Sequence, residues 1–204
     1  MDRRSNNTPL WSDGAGRVLL AGPVLTEEEL AATARDEDLR AAAAFVSAQR
    51  RREYLSWRVL LYGYLGRAAR VEYGPDGAPH LVSHPDLCLS VSHCRDMVAV
   101  ALSDRRCGVD VERLDRDFSK AAPRFLTDGE RTLSSDSRLA AAVWCAKECL
   151  FKMYGHAGID LRRDIVVGGI DFDGGTLCGS VDGGETVTMR MIFTAQGHIV
   201  VLAI

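Results

Sequence analysis

The end of the chain constrains the fold most. Four strand-like runs, "DIVVGGIDF", "TLCGSV", "TVTMRMIFTA" and "HIVVLAI", follow one another with short glycine-rich turns such as "DGG" and "DGGE" between them. Turns this short join antiparallel neighbours, because a parallel pair needs a crossover of about a dozen residues or more. The text upstream alternates differently. "RVLLAGPVL" reads as a strand that Pro23 ends, and Thr26 with Glu29 makes the S/T-x-x-E capping pattern of a helix beginning near residue 27. Residues 36 to 66 read as helical, with arginines gathered at Arg50, Arg51, Arg52 and Arg58. "VEYGPDGAPHL" reads as a turn-rich connector. "LCLSVS" and "MVAVALS" read as strands joined at "HCRD", and the second, apolar on both faces, as a buried central strand. "CGVDVE" is a further strand. Thr127 and Glu130 repeat the capping pattern, and a helix is predicted from about 136 to 154, ended by Gly155. Strand and helices followed by strands thus occur twice. The expectation is an α+β chain of two similar halves, 1–105 and 106–204, packed as one body.

Composition narrows the function. With 204 residues, 47% of them hydrophobic, the chain can bury a sizeable core. A net charge of −3 gives no global attraction for nucleic acid, so an acidic ligand has to be met by a local basic patch. The apolar runs are far too short to span a bilayer. Cys88, Cys94, Cys107, Cys145, Cys149 and Cys178 form no C-x-x-C and match no zinc spacing. No signal peptide is visible, so they are expected to be reduced thiols of a cytoplasmic protein.

Two stretches carry the chemistry. In "CGVDVERLD", Asp110 and Glu112 stand two apart between Val109 and Val111, and on a strand alternate side chains share a face. Val109 and Val111 are then expected on the core face and the two acids opposite. One reading is the solvated face of an edge strand. The other is a hard-cation site, since Mg²⁺ favours one or two carboxylates plus substrate phosphates. In "WCAKECLFKMYG", Trp144, Glu148 and Lys152 fall at i, i+4, i+8 along one helical stripe. Glu148 and Lys152 could be no more than a surface ion pair. If Glu148 packs near Asp110 and Glu112, three carboxylates converge in an all-oxygen ligand set that suits Mg²⁺ or Mn²⁺ better than zinc. Lys152 would then reach a phosphate oxygen on the same ion, an arrangement for phosphoryl-type transfer. In "SVSHC", Ser92 and His93 sit between two strands, where they can serve structure or meet an anion. The arginines at 50–52 read as a solvated helix face unless the substrate carries several phosphates.

"LSVSHCRDMVAVAL", "GVDVE" and "WCAKECLFKMYG" together resemble the three signature blocks of the 4′-phosphopantetheinyl transferases. Spacing and length resemble the larger, monomeric, surfactin-type branch. "LRAAAAF", "RRREYLSWRVLLYGYLG", "GAPHL" and "RFLTDGE" resemble its weaker features, and the likeness runs from about residue 18 to 155. The resemblance implies two α+β halves related by a pseudo-two-fold axis, with coenzyme A in the cleft between them. The reaction it implies moves phosphopantetheine from coenzyme A to a serine of an apo acyl or peptidyl carrier protein, releasing adenosine 3′,5′-bisphosphate. It makes Asp110, Glu112 and Glu148 the Mg²⁺ ligands, and Glu148 the base for the serine proton. Lys152 and His93, with Ser92 assisting, would stabilise the diphosphate. Arg40, Arg51 and Arg58 would meet the 3′-phosphate, and Trp144 would pack under the site. A monomer is expected, with no nucleic-acid or membrane partner. The chain departs from the family pattern at Ala78, where the turn often carries lysine, and at Val59, where a hydroxyl can assist the 3′-phosphate. Another Mg²⁺-dependent phosphotransferase, or a carrier-binding module with a lapsed site, would share many of these residues.

Overall fold

Met97–Ser103 is the strand about which the N-terminal unit is built, because every residue in it is buried. A computed structural model describes residues 9–154 and 158–204, in two compact units, Met1–Arg105 and Arg106–Ile204. The first unit contains β1 (Trp11–Ser12), β2 (Val18–Pro23), α1 (Glu27–Thr33), α2 (Asp36–Ala42), α3 (Ala48–Leu65), β3 (Val71–Tyr73), β4 (Pro79–Leu81), β5 (Cys88–His93) and β6 (Met97–Ser103). Four strands pair antiparallel in the order β1-β2-β6-β5, which places β6 inside the sheet. Val98, Val100 and Leu102 point to the same core as Val18 and Leu20, and Trp57 and Leu61 of α3 close it. The capping box at Thr26 and Glu29 opens α1.

The helical text from 36 to 66 is two helices, not one. Ser47 is extended, and its hydroxyl accepts from the Arg50 N–H, so a new helix starts there. Arg51 donates to the carbonyls of Phe45 (2.7 Å) and Val46 (3.1 Å), tying the intervening turn to α3. The connector "VEYGPDGAPHL" is itself a hairpin, β3 paired with β4, with Gly77 at φ 80° in its turn.

The C-terminal unit contains β7 (Gly108–Arg113), α4 (Ala122–Phe125), α5 (Asp128–Arg131), α6 (Leu139–Tyr154), β8 (Ile165–Asp171), β9 (Thr176–Val181), β10 (Val187–Phe193) and β11 (His198–Ala203). Its five strands form an antiparallel sheet in the order β7-β11-β10-β9-β8. The helix predicted over 136–154 begins at Leu139, and Gly155, expected to end it, lies outside the described residues. The capping box at Thr127 and Glu130 is formed, but it opens only the one-turn α5.

Register corrects one expectation. Gly108, Asp110 and Glu112 pair with Ala203, Val201 and Ile199, and residues directly opposite share a face. Those three β11 residues belong to the core that α6 fills with Ala142, Cys145, Ala146 and Cys149. The acids therefore point toward the helix-covered face. Val109 and Val111 take the other face with Leu202 and Val200, and that face is buried too.

Candidate active site

The site in the C-terminal unit begins with Gly108. A Cβ there would collide with the Cys149 carbonyl and stand 2.9 Å from its Cα, so glycine lets α6 lie directly on β7. The contact sets the α6 stripe against the β7 acids. Asp110 is only 6% exposed. Lys152 crosses from the helix to the strand and donates to Asp110 Oδ1 (3.0 Å) and to the Val109 carbonyl (2.7 Å). This geometry replaces the reading of Lys152 as the surface partner of Glu148. Desolvation disfavours the Lys152 ammonium, but Asp110, Cys149 and Glu148 around it together outweigh that and hold it above the ordinary lysine range.

Glu148 lies next to these groups. Burial pushes its carboxyl up, and the Asp110 charge adds to the rise, while Lys152 and Arg116 oppose it. Glu112 is paired with Arg116 four residues on, after the turn in which Arg116 N–H bonds the Arg113 carbonyl. The Arg116 guanidinium lies over the rings of Phe118 (4.7 Å) and Trp144 (5.2 Å). Trp144 packs edge-on against Phe125 at 5.1 Å, so it supports the site from the core side. Asp110, Glu112 and Glu148 are an all-oxygen donor set on a touching strand and helix, chemistry that fits a hard divalent cation. As they stand, the three do not bring one oxygen of each within 4.8 Å of the others. Side-chain turning is required to gather them.

Lys147, between Trp144 and Glu148, carries no role in the sequence reading. Its side chain is 0% exposed, its Nζ lies 2.8 Å from Glu130 Oε1, and it donates to the Leu161 carbonyl at 2.9 Å. Glu130 also accepts from the Val167 N–H at 2.9 Å and the Thr127 N–H at 2.8 Å. One ion pair thus ties α5 and β8 to the helix bearing Glu148. The joint presence of "TDGE" and "WCAKE" was the available signal.

The remaining candidates belong to the N-terminal unit. Ser92 is buried near the end of β5. His93 follows, with Nδ1 3.2 Å from Glu53 Oε2 and Nε2 against Arg50. Gln49 holds the other Glu53 oxygen at 2.9 Å. Glu53 and Arg50, not singled out by sequence, orient the imidazole. Arg40 is exposed on the last turn of α2. Arg51 and Arg52 flank a groove of about 370 Å³ floored by Leu30, Leu39 and Leu55. Arg58 differs from its expected place at a phosphate. Its side chain is 3% exposed, Nε lies 3.0 Å from Asp38 Oδ1, and it bonds the Tyr73 hydroxyl at 3.0 Å. Its guanidinium also lies over the Tyr54 and Trp57 rings, at 3.6 and 4.1 Å. Reaching a ligand would break this buried ion pair, a cost that Arg40 and Arg51 do not carry.

Residues 106–196 match the 4′-phosphopantetheinyl transferase superfamily. The chain is 30% identical over 115 residues to the 4′-phosphopantetheinyl transferase AcpT of Salmonella typhi and to the protein of that name from Salmonella typhimurium, strain LT2. Each alignment covers 52% of this chain and 60% of the relative, so the chain spans somewhat under two thirds of the length of these relatives. The signature blocks, the all-oxygen acids on β7 and α6 and the sequence match agree, and residues 106–196, a little under half of the chain, are similar to the 4′-phosphopantetheinyl transferase superfamily.

Proposed function

We propose that the protein transfers 4′-phosphopantetheine from coenzyme A to a serine of an apo acyl or peptidyl carrier protein and releases adenosine 3′,5′-bisphosphate. The observation that carries this reading is the seating of Lys152 on Asp110, beside Glu148, within the segment that matches the superfamily. In the reaction the serine oxygen bonds to the phosphorus bearing pantetheine, and the bond from that phosphorus to the diphosphate bridge breaks. The serine proton passes to Glu148, directly or through one water. A carboxylate pushed up by burial and by Asp110 accepts a proton more readily than a solvated one. Lys152 moves from Asp110 to a diphosphate oxygen, where a fixed ammonium stabilises the charge that develops. Ser92 and His93 are assigned to phosphate oxygens of coenzyme A, with Glu53 fixing the imidazole, and Arg40 and Arg51 to its 3′-phosphate.

Asp110, Glu112 and Glu148 hold Mg²⁺, with Mn²⁺ as an alternative. When bound, the ion supplies charge stabilisation on the diphosphate. We assign the protein to the surfactin-type branch, as a cytoplasmic monomer. The test is a panel of apo carriers incubated with coenzyme A and Mg²⁺ and weighed by mass spectrometry. A gain of one phosphopantetheine on the carrier serine is the expected result. No gain on any carrier, with Mg²⁺-dependent coenzyme A binding intact, would make the protein a binding module.

A further inference from the structure

We propose that Arg116 is a displaceable counter-ion of Glu112, competing with the divalent cation for that carboxylate and so setting how tightly the metal binds before the diphosphate arrives. The inference rests on the metal-site reading above and adds a regulatory residue to it. Two of the three candidate ligands already carry a cation from this chain. Asp110 carries Lys152, and Glu112 carries Arg116. The two pairs are built differently. Lys152 is anchored a second time, on the Val109 carbonyl. Arg116 stands in the turn after β7 with 38% of its side chain exposed, held by a carboxylate on one side and two ring faces on the other.

The ring faces matter because they give the guanidinium somewhere to stay. An arginine over Phe118 and Trp144 keeps part of its stabilisation when the carboxylate turns away. The three carboxylates have to gather, since the oxygens of Asp110, Glu112 and Glu148 do not yet all lie within 4.8 Å of one another. A turn of Glu112 toward the other two takes it off Arg116. The released guanidinium then has an alternative anion in the incoming diphosphate. Metal and diphosphate therefore favour each other, because each removes a cost from binding the other, and the coupling is reciprocal.

The experiment is Mn²⁺ binding to the full chain, followed by calorimetry and by loss of the free-ion paramagnetic resonance signal, with and without coenzyme A. Arg116→Ala is expected to bind Mn²⁺ about two- to tenfold more tightly in the absence of coenzyme A, the scale of a partly exposed ion pair. The enhancement of Mn²⁺ affinity by coenzyme A should shrink in that variant. Arg116→Gln, which keeps the stem over the rings, should behave likewise if alanine lowers the melting temperature. Glu112→Gln/Arg116→Ala should bind Mn²⁺ no more tightly than Glu112→Gln alone. Unchanged or weaker Mn²⁺ binding in both Arg116 variants overturns the counter-ion role and leaves the metal site standing. Failure of the unaltered chain to bind Mn²⁺ at all, with or without coenzyme A, overturns the metal site and this inference together.

Discussion

Lys147 carries an ammonium group where no solvent reaches, and it is tolerable there only because Glu130 meets it. Burial pushes its proton affinity down and the Glu130 carboxylate partly restores it. Removing the lysine strands a buried carboxylate, so Lys147→Met should cost about 3–5 kcal/mol in urea unfolding. A loss below about 1 kcal/mol would mean that Glu130 finds another partner. Glu148, its neighbour, has the opposite profile. Glu148→Gln should leave the melting temperature nearly unchanged and cut turnover by about 10²-fold or more, the scale of a lost general base. Turnover within a few-fold of the unaltered protein would remove Glu148 from that role. Arg58 belongs with Lys147. Arg58→Ala should lower stability and weaken coenzyme A and dephospho-coenzyme A alike, because the guanidinium serves Asp38 and the surrounding rings. A selective loss for coenzyme A would return Arg58 to the 3′-phosphate.

At the scale of elements, α6 decides the site, since it carries Trp144, Lys147, Glu148 and Lys152. The turn that leads into it is closed by Asp136, whose carboxylate accepts from the Arg138 N–H at 2.8 Å and pairs with the Arg138 guanidinium at 2.6 Å. The side-chain bond from Arg138 and then its backbone N–H hold the Asp136 carboxyl down to about 2, from 3.8. A carboxyl depressed in the fold contributes stability above its unfolded value and loses it as pH falls through 3.8 toward about 2. Asp136→Ala should therefore cost about 0.5–2 kcal/mol at pH 7, like a lost helix-entry cap, and nothing well below pH 2. A difference that persists undiminished at the acid end would show that shape, not charge, closes the turn. Much of this was legible beforehand. The S/T-x-x-E patterns at Thr26 and Thr127 both formed capping boxes, because the reciprocal bonds need only three residues of local chain. The length of what followed was not legible. Seven residues of helix follow one box and four the other, since extension depends on what the helix packs against.

For the molecule as a whole, the ligand is the most direct probe. Coenzyme A with Mg²⁺ should raise the melting temperature, by about 2.7 kcal/mol of stabilisation at a hundredfold excess over Kd. Asp110→Ala should abolish the Mg²⁺-dependent part of that rise, measured by thermal unfolding with and without the metal. An equal rise in both proteins would leave Asp110 as a buried partner of Lys152 and nothing more. The chain divides into two α+β units at Arg105–Arg106, and the candidate residues divide with it. The carboxylates and Lys152 belong to the second unit, and Ser92, His93, Arg40 and Arg51 to the first.

The sequence by itself determined most of the strands, the turns between them and the donor type of the acids, because period, turn residues and side-chain type are local properties. Strand β6 reads as buried from its own seven residues, and all seven are buried. Asp110, Glu112 and Glu148 offer only oxygen donors, and it is the resemblance that implies they are hard-cation ligands. Only the tertiary structure decided which charges already have partners. Arg58 and Arg51 look alike in "RRREYLSWR", yet one is sealed against Asp38 and three rings, while the other lines an open groove. Lys147 and Lys152 are five residues apart on one helix, yet one is a structural ion pair and the other reaches Asp110. A 3.6-residue repeat turns those two lysines to different faces, and what each face meets comes from segments far along the chain. The direction in which the β7 acids point was fixed the same way, by pairing with β11 some ninety residues later and by the absence of a side chain at Gly108 that lets α6 lie against them.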